Sequence, residues 1–244
     1  MPGSLETPSH NDIPFSRPAS PGGLPALQVG FVGLGNIGYA MAKNLAVNGP
    51  EHVRNLPPVK VWNRTRSKAE KLVEFVGQDK ATIAESVEQV ANECDVIVVN
   101  VANDDVVRII YAQFKEALTV RIYLPSDETY ADFLYTRPTH QQRTRSSWRR
   151  ARSEQRATIP SSSLNAVQIY PSLAGELDHL LSTFPHTHLI TCPVLGSSLV
   201  ADQAKLMLIM SGDYPSKKLV ANIFVPSIGR RVIDLGGDLE KGLQ

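Results

Sequence analysis

The chain has 244 residues, of which 42% are hydrophobic, so it can form one large or two small domains with a packed core. Its formal net charge of +1 gives no overall signature of binding to nucleic acid or to a membrane surface. No apolar run approaches the length of a membrane span. The two cysteines, Cys94 and Cys192, lie in apolar surroundings, so we expect buried thiols in a reducing compartment and no disulfide framework.

Residues 1–26 are rich in proline, serine and glycine. A segment of this composition cannot bury enough apolar surface to offset the entropy that ordering removes. The segment also lacks the apolar centre of a signal peptide. We therefore predict a disordered tail on a cytoplasmic protein.

The run from Gly30 to Gly38 follows an apolar, strand-like stretch and precedes a series of good helix formers. It contains the pattern G-x-G-x-x-G, with glycines at 33, 35 and 38. Between a strand and a helix, the first glycine permits a tight turn and the second lets the backbone approach a pyrophosphate. The third lets the helix pack close to the strand, so that its N-terminal amides face the phosphates. The motif predicts a dinucleotide site, and a glycine-rich structural turn is the alternative interpretation.

Strand and helix patterns alternate after this motif. Strands are predicted at 57–63, 80–82, 95–101, 122–124, 189–194, 205–211 and 231–235. Helices are predicted at 67–76, 83–92, 105–118 (with Asp104 as its N-cap), 171–184 and 216–223. Such alternation implies right-handed crossovers, and hence an α/β fold with a doubly wound, Rossmann-like, mostly parallel sheet. We expect a single domain over residues 27–244.

Residues 137–163 interrupt this pattern with many arginines, no lysine and a single acid, Glu154. The stretch has no apolar periodicity, so we predict a disordered and dispensable insertion over residues 125–163. The alternative is an arginine-rich arm for nucleic acid. No folded RNA-binding module accompanies it, which disfavours nucleic acid as a partner.

Several segments together resemble the β-hydroxyacid dehydrogenase family, which includes 3-hydroxyisobutyrate dehydrogenase and 6-phosphogluconate dehydrogenase. They are GFVGLGNIGYAMAKNL, VWNRTRSKAEKL, CDVIVVNVANDDVV, IYPSLAGEL, CPVLG and the final strand with its helix. The resemblance covers most of residues 27–118 and 169–240. It implies an NAD(P)-binding Rossmann domain, which in that family is followed by a helical domain that completes the active site.

The resemblance also implies which residues contact the cofactor. The loop expected to hold the pyrophosphate consists of Gly33, Leu34, Gly35, Asn36, Ile37 and Gly38. The residues expected to receive the adenosine ribose are Asn63, Arg64 and Thr65. Those expected to line the nicotinamide side are Val101, Ala102 and Asn103.

The cofactor predicted from the residues is NADP, with NAD as the alternative. An NAD-selective site needs an acid at the end of the second strand to accept a hydrogen bond from the 2′-OH. This chain has Asn63 and Arg64 there, and a guanidinium suits a 2′-phosphate. The alternative interpretation of Arg64 is a solvated turn residue.

The chain departs from the family in the residues that hold substrate. Val167-Gln168-Ile169 stands where the family has an Asp-x-Ser-Thr segment, and the loop 193–197 has lost a hydroxyl and a glycine. The family's catalytic lysine would lie beyond Gln244. We therefore expect no catalytic residue in this chain, and we leave open whether it is an enzyme.

The remaining lysines and histidines suggest no catalytic or metal role. The lysines expected at the start of a strand or at the surface, without a catalytic role, are Lys205, Lys217, Lys218 and Lys241. The histidines expected in loops or at the surface, without a metal, are His179, His186 and His188. Small hydroxy acids are expected as substrates only if the site is completed.

Three functions remain open. The favoured one is the NADP-binding domain of a 3-hydroxyisobutyrate dehydrogenase-like oxidoreductase, incomplete for catalysis. The second is a non-catalytic nucleotide-binding module. The third is a misassembled or truncated product in which residues 119–168 do not belong to the fold.

Overall fold

A computed structural model describes residues 14–15, 27–53, 55–123, 161–165 and 171–240. The strands are β1 (Val29–Val32), β2 (Val59–Trp62), β3 (Ala81–Ile83), β4 (Val96–Val99), β5 (Ser161–Asn165), β6 (Thr187–Thr191), β7 (Val194–Leu195), β8 (Leu206–Gly212) and β9 (Gly229–Asp234). The helices are α1 (Asn36–His52), α2 (Arg66–Val76), α3 (Val87–Glu93), α4 (Asp104–Tyr123), α5 (Pro171–Ser182), α6 (Ser198–Asp202) and α7 (Tyr214–Phe224).

Six strands form a parallel sheet in the order β3-β2-β1-β4-β5-β6. In the middle of this sheet, Phe31 of β1 lies opposite Val61 of β2 and Val98 of β4. Strand β8 runs antiparallel to β6 and also pairs with β7 and β9. The order of the six parallel strands is that of a doubly wound nucleotide-binding sheet, so the predicted fold class is confirmed.

The sheet separates two hydrophobic layers. Helices α1, α2 and α7 pack on one face, and helices α3, α4 and α5 pack on the other. Strand β4 serves both layers, because Val96 and Val98 face the first and Ile97 and Val99 face the second. All four residues are buried, as expected of a central parallel strand covered on both faces.

The fifth strand does not lie where the sequence pattern placed it. Residues 122 and 123 continue helix α4, and the strand between β4 and β6 is Ser161–Asn165. The sequence SSSLN has little apolar character, and its place is fixed by pairing with neighbours on both edges. The assignment of the strand to 122–124 is therefore wrong. Residues 161–163 of the predicted insertion form a strand, and 124–160 lie outside the described residues.

One residue of the predicted tail is packed against the domain. Phe15 is 2% exposed and belongs to the core layer that contains α1 and α7. Its ring meets that of Tyr214, at the start of α7, edge to face with 5.5 Å between centroids. The other residues of the predicted tail, apart from Pro14, lie outside the described part of the chain.

Both cysteines are free and buried, as the sequence predicted. Burial raises the pKa of the Cys192 thiol to about 12. The nucleophilic form of cysteine is the thiolate, so Cys192 is an inert core residue at neutral pH.

Lys217 differs from the surface position that the sequence suggested. It is 2% exposed, and its ammonium donates to Asp234 Oδ1 at 2.5 Å and to the carbonyl of Gly236 at 2.7 Å. The pair ties α7 to the end of β9. Exposed Lys205 precedes β8, as expected, and Lys218 is half-buried.

We expect the buried ion pair to contribute measurably to stability. The substitution Lys217→Met leaves Asp234 without its cation and should lower the free energy of unfolding by about 2–3 kcal/mol, since Asp234 keeps some contact with water. The exposed control Lys205→Met should change it by less than about 0.5 kcal/mol. Urea unfolding of both variants measures the difference, and equal effects would contradict a structural role for the pair.

Candidate functional site

The glycine loop between β1 and α1 passes the end of β4 at very short range. Gly33 has φ +97° and donates its N–H to the carbonyl of Trp62 at 2.9 Å. A Cβ at this position would lie 2.1 Å from the carbonyl oxygen of Asn100. Both the backbone conformation and the lack of space therefore require glycine.

The other two glycines of the motif differ from each other. A Cβ at Gly38 would lie 2.4 Å from the Gly33 carbonyl oxygen, so close packing of α1 on the loop requires glycine there. A Cβ at Gly35 would have no atom of the described residues within 4 Å. Packing therefore does not require glycine at position 35. The absence of a side chain there leaves room for a ligand to approach the backbone.

Helix α1 begins at Asn36 without a side-chain cap. Gly35 occupies the N-cap position, and the first turn carries no acid. Among the residues that the structure describes, no side chain forms a capping hydrogen bond with this helix end. The first N–H groups of a helix have no intrahelical acceptor, and the helix dipole adds a positive partial charge. The open space at Gly35 and the uncapped amides of α1 together fit a phosphate group.

The turn after β2 is tied directly to this loop. The carboxamide Oδ1 of Asn63 accepts from the N–H of Leu34 at 2.8 Å, and its Nδ2 donates to the carbonyl of Thr65 at 2.9 Å. The side chain of Asn63 is thus occupied by backbone groups. The two residues predicted with it, Arg64 and Thr65, are exposed.

Two arginines near this turn differ in whether a carboxylate pairs with them. Arg66 donates to both carboxylate oxygens of Glu85, at 2.6 and 3.2 Å, and to Glu70 at 3.1 Å. The Arg66 guanidinium holds the pKa of the Glu85 carboxyl below its usual value. The Arg64 side chain has no hydrogen bond or ion pair with any residue that the structure describes. Its guanidinium is therefore available to a ligand.

A cleft of about 580 Å³ lies beside the glycine loop. It is lined by Leu34, Gly35, Asn36, Tyr39, Ala40, Lys68, Lys71, Ser198, Leu199 and Asp202. It brings three predicted pyrophosphate residues together with Lys68 and Lys71, which the sequence analysis did not select. Their spacing of three residues on α2, just after the Arg64 turn, places both on one helix face and could have identified them.

The far wall of the cleft is fixed to α1. Lys43 pairs with Asp202, and Asn44 donates to the carbonyl of Ala201 at 2.6 Å, so α6 is anchored on α1. The loop 193–197 leads into this short helix, and the Ser197 hydroxyl accepts from the N–H of Val200 at 3.4 Å. The hydroxyl that remains in this loop therefore caps a helix.

The predicted nicotinamide residues follow β4 and lie beside the loop, outside the lining of the cleft. Val101 Cγ1 would be 2.9 Å from a Cβ on Gly33. Asn103 Oδ1 accepts from the N–H of Val106 at 3.0 Å, so Asn103, and not Asp104 as predicted, caps α4. Ala102, between them, is exposed. The three predicted groups of residues thus meet where β1, β2 and β4 end, at the switch point of the sheet, where such folds bind ligands.

No group of three or more His, Cys, Asp or Glu residues within the described ranges is arranged to hold a metal ion. Exposed His179 lies on α5, and His188 Nδ1 is 3.4 Å from Asp213. None of the helices in the described part of the chain is long and apolar enough to cross a membrane.

Comparison with known proteins gives a sequence match over the same region. Residues 28–146 match the family profile of the NAD binding domain of 6-phosphogluconate dehydrogenase. A segment of 68 residues is 43% identical to glyoxylate/succinic semialdehyde reductase 1 of Arabidopsis thaliana. This segment makes up 28% of this chain and 20% of that protein.

Solved structures with the same fold include 3-hydroxyisobutyrate dehydrogenase of Mycobacterium tuberculosis with L-serine (TM-score 0.61, 19% identity, 89% of this chain, 57% of that one). Psf3 in complex with NADP⁺ and 2-OPP has a TM-score of 0.60 at 20% identity, over 88% of this chain and 58% of that one. A variant imine reductase of Myxococcus stipitatus in complex with NAD⁺ has a TM-score of 0.61 at 15% identity, over 90% of this chain and 58% of that one. The chain thus spans less than three fifths of these structures.

The different surroundings of the first two motif glycines generate a matched prediction. Gly33→Ala should lower the free energy of unfolding by at least roughly 2 kcal/mol, because its backbone is strained for any other residue and its Cβ would meet a carbonyl oxygen. Gly35→Ala should lower it by less than about 1 kcal/mol, the scale of an N-cap change. Thermal and urea unfolding compare the two, and a reversed order would refute the described loop geometry.

Proposed function

We propose that this chain, whose residues 28–146 match the NAD binding domain of 6-phosphogluconate dehydrogenase, is the NAD(P)-binding part of a hydroxyacid dehydrogenase-like oxidoreductase and binds NADP in preference to NAD. In this proposal the pyrophosphate lies against the backbone at Gly35 and the uncapped amides at the start of α1. The adenosine end lies at the turn from Asn63 to Thr65. The nicotinamide end lies beside Val101, Ala102 and Asn103.

The preference for NADP rests on the guanidinium of Arg64, which has no hydrogen bond or ion pair within the described part of the chain. NADP differs from NAD by a 2′-phosphate on the adenosine ribose, and arginine binds phosphate through charge-assisted hydrogen bonds. Arg66 has the same charge but is held by Glu85 and Glu70. The end of β2 has the neutral Asn63 where an acid would favour NAD. Lys68 adds a second positive charge at the edge of the cleft.

The chemistry supplied by the bound cofactor would be hydride transfer at the nicotinamide ring. The residues assigned to that end, Val101, Ala102 and Asn103, carry no group that titrates near neutral pH. The role proposed for this site is therefore to bind and orient the dinucleotide. It assigns no proton transfer to these residues.

The substrate class proposed for the complete oxidoreductase is a small hydroxy acid or the corresponding carbonyl compound. This class is common to the names of the Arabidopsis reductase and the mycobacterial dehydrogenase. The loop 193–197, beside the cleft, is where we expect selectivity for substrate to arise. A module that binds the nucleotide without turnover remains the second candidate, because the described site residues are sufficient for binding alone.

The test of cofactor preference compares the two arginines. Arg64→Ala should weaken NADPH binding by about 1.5–3 kcal/mol, the scale of a charge-assisted hydrogen bond, and should leave NADH binding nearly unchanged. Titration calorimetry with both cofactors measures this difference.

The matched control is Arg66→Ala, which removes the same charge two residues away. Its ion pairs are exposed, so it should change the binding of either cofactor by less than about 0.5 kcal/mol. Equal losses of NADPH and NADH affinity in Arg64→Ala, or an equal effect of the two arginine variants, would contradict the assignment.

A further inference from the structure

We propose that Asn63 is a positioning residue that joins the phosphate loop to the 2′-phosphate turn, so that the two bind one dinucleotide as a single unit. This inference rests on the proposed function, because both elements belong to the same cofactor site. It replaces the expectation that the Asn63 side chain receives the adenosine ribose.

The two hydrogen bonds of Asn63 use opposite ends of one planar amide. The oxygen accepts from Leu34 N–H at 2.8 Å, and the nitrogen donates to the Thr65 carbonyl at 2.9 Å. The first bond reaches 29 residues back to the glycine loop, and the second closes a small ring around Arg64. An amide satisfies both bonds at once. An aspartate could accept the first but not donate the second.

The contact with Leu34 also determines which amides remain for phosphate. The side chain of Leu34 is 1% exposed, and the Asn63 carboxamide already satisfies its N–H. The loop N–H groups left for a pyrophosphate therefore belong to residues at the start of α1. Because Asn63 already accepts the N–H of Leu34, only the N–H groups that follow Leu34 remain for the ligand.

The bond to Thr65 fixes the direction in which Arg64 is presented. Asn63 is held by Leu34 on one side, and its own side chain holds the backbone of Thr65 on the other. Arg64 lies between these two fixed points, with its side chain exposed. The guanidinium is therefore carried on a backbone segment whose position relative to the phosphate loop is set before a ligand arrives.

Such preorganisation matters only to a ligand that touches both elements. NADPH spans the Arg64 turn and the glycine loop, so a fixed relation between them reduces the ordering that binding requires. Adenosine 2′-monophosphate has no 5′-pyrophosphate and contacts only the Arg64 turn. Loss of Asn63 should therefore weaken NADPH much more than this fragment, whereas a direct ribose contact would weaken both equally.

The experiment measures the dissociation constants of NADPH and adenosine 2′-monophosphate for the unmodified chain and for Asn63→Ala. We expect about a tenfold loss for NADPH, the upper end of what one intramolecular hydrogen bond contributes, and less than about a twofold loss for the fragment. Arg64→Ala, a direct contact, should weaken both ligands by similar factors. Equal losses in Asn63→Ala would overturn the positioning role.

A second measurement needs no ligand. In the unmodified chain, the hydrogen bond from the Leu34 N–H to the Asn63 carboxamide should retard exchange of the Leu34 amide proton. We expect Asn63→Ala to accelerate it by about tenfold or more relative to a β4 amide, and no change would refute the link. If Asn63→Ala does not fold, Asn63→Ser takes its place. Its shorter side chain cannot make both hydrogen bonds and adds no charge beside the 2′-phosphate, so its NADPH loss should still exceed the fragment loss.

The outcomes separate the two proposals. If the unmodified chain fails to bind NADPH, the proposed function is wrong and the coupling proposal fails with it. If the unmodified chain binds NADPH but Asn63→Ala loses both ligands equally, the proposed function stands and only the positioning role of Asn63 is refuted.

Discussion

The backbone of the glycine loop passes the end of β4 at a distance that no side chain tolerates. A Cβ at Gly33 would lie 2.1 Å from the Asn100 carbonyl oxygen, and one at Gly38 would lie 2.4 Å from the Gly33 carbonyl oxygen. Because the backbone comes this close at both glycines, the start of α1 lies directly beside the end of β1. This arrangement also leaves the N-terminal amides of α1 uncapped beside the open space at Gly35. The rest of the proposed site depends on that placement, because the pyrophosphate can be held only where these amides point.

The parallel sheet assembles the remaining groups around this loop. Strands β1, β2 and β4 are neighbours with the same direction, so their carboxyl ends lie at one edge. Hydrogen bonds from Gly33 to Trp62 and from Leu34 to Asn63 join the loop to the end of β2. Charge is distributed unevenly along this edge, because Arg66 is paired with Glu85, whereas Arg64 has no carboxylate partner among the described residues. In the proposed site, this edge therefore offers one element for an anion at a helix start and a second in a turn, with Asn63 between them.

Much of this could be predicted from the sequence, because the signals were local. The motif glycines, the apolar run of β4 and the polar turn after β2 each have a physical reason that is visible within a few residues. The features that failed depend on tertiary structure. Strand β5 has a serine-rich sequence placed by its two neighbours, Lys217 is buried by a partner 17 residues away, and Asn63 bonds to a residue 29 positions earlier. The cap of α4 was misplaced by one residue, since Asn103 and Asp104 are equally suitable by type.

The central claim, that a nicotinamide dinucleotide lies across the glycine loop and the Arg64 turn, is tested most directly by amide chemical shifts during titration with NADPH. The account predicts saturable shifts that are largest at Gly35, Asn36 and Ile37 and at Arg64 and Thr65, with smaller ones at Val101 to Asn103. The amides of β8, which three strands separate from β1, and those of α5, on the face of the sheet opposite α1, should not move. Shifts concentrated outside the β1, β2 and β4 edge, or the absence of any saturable change, would contradict it.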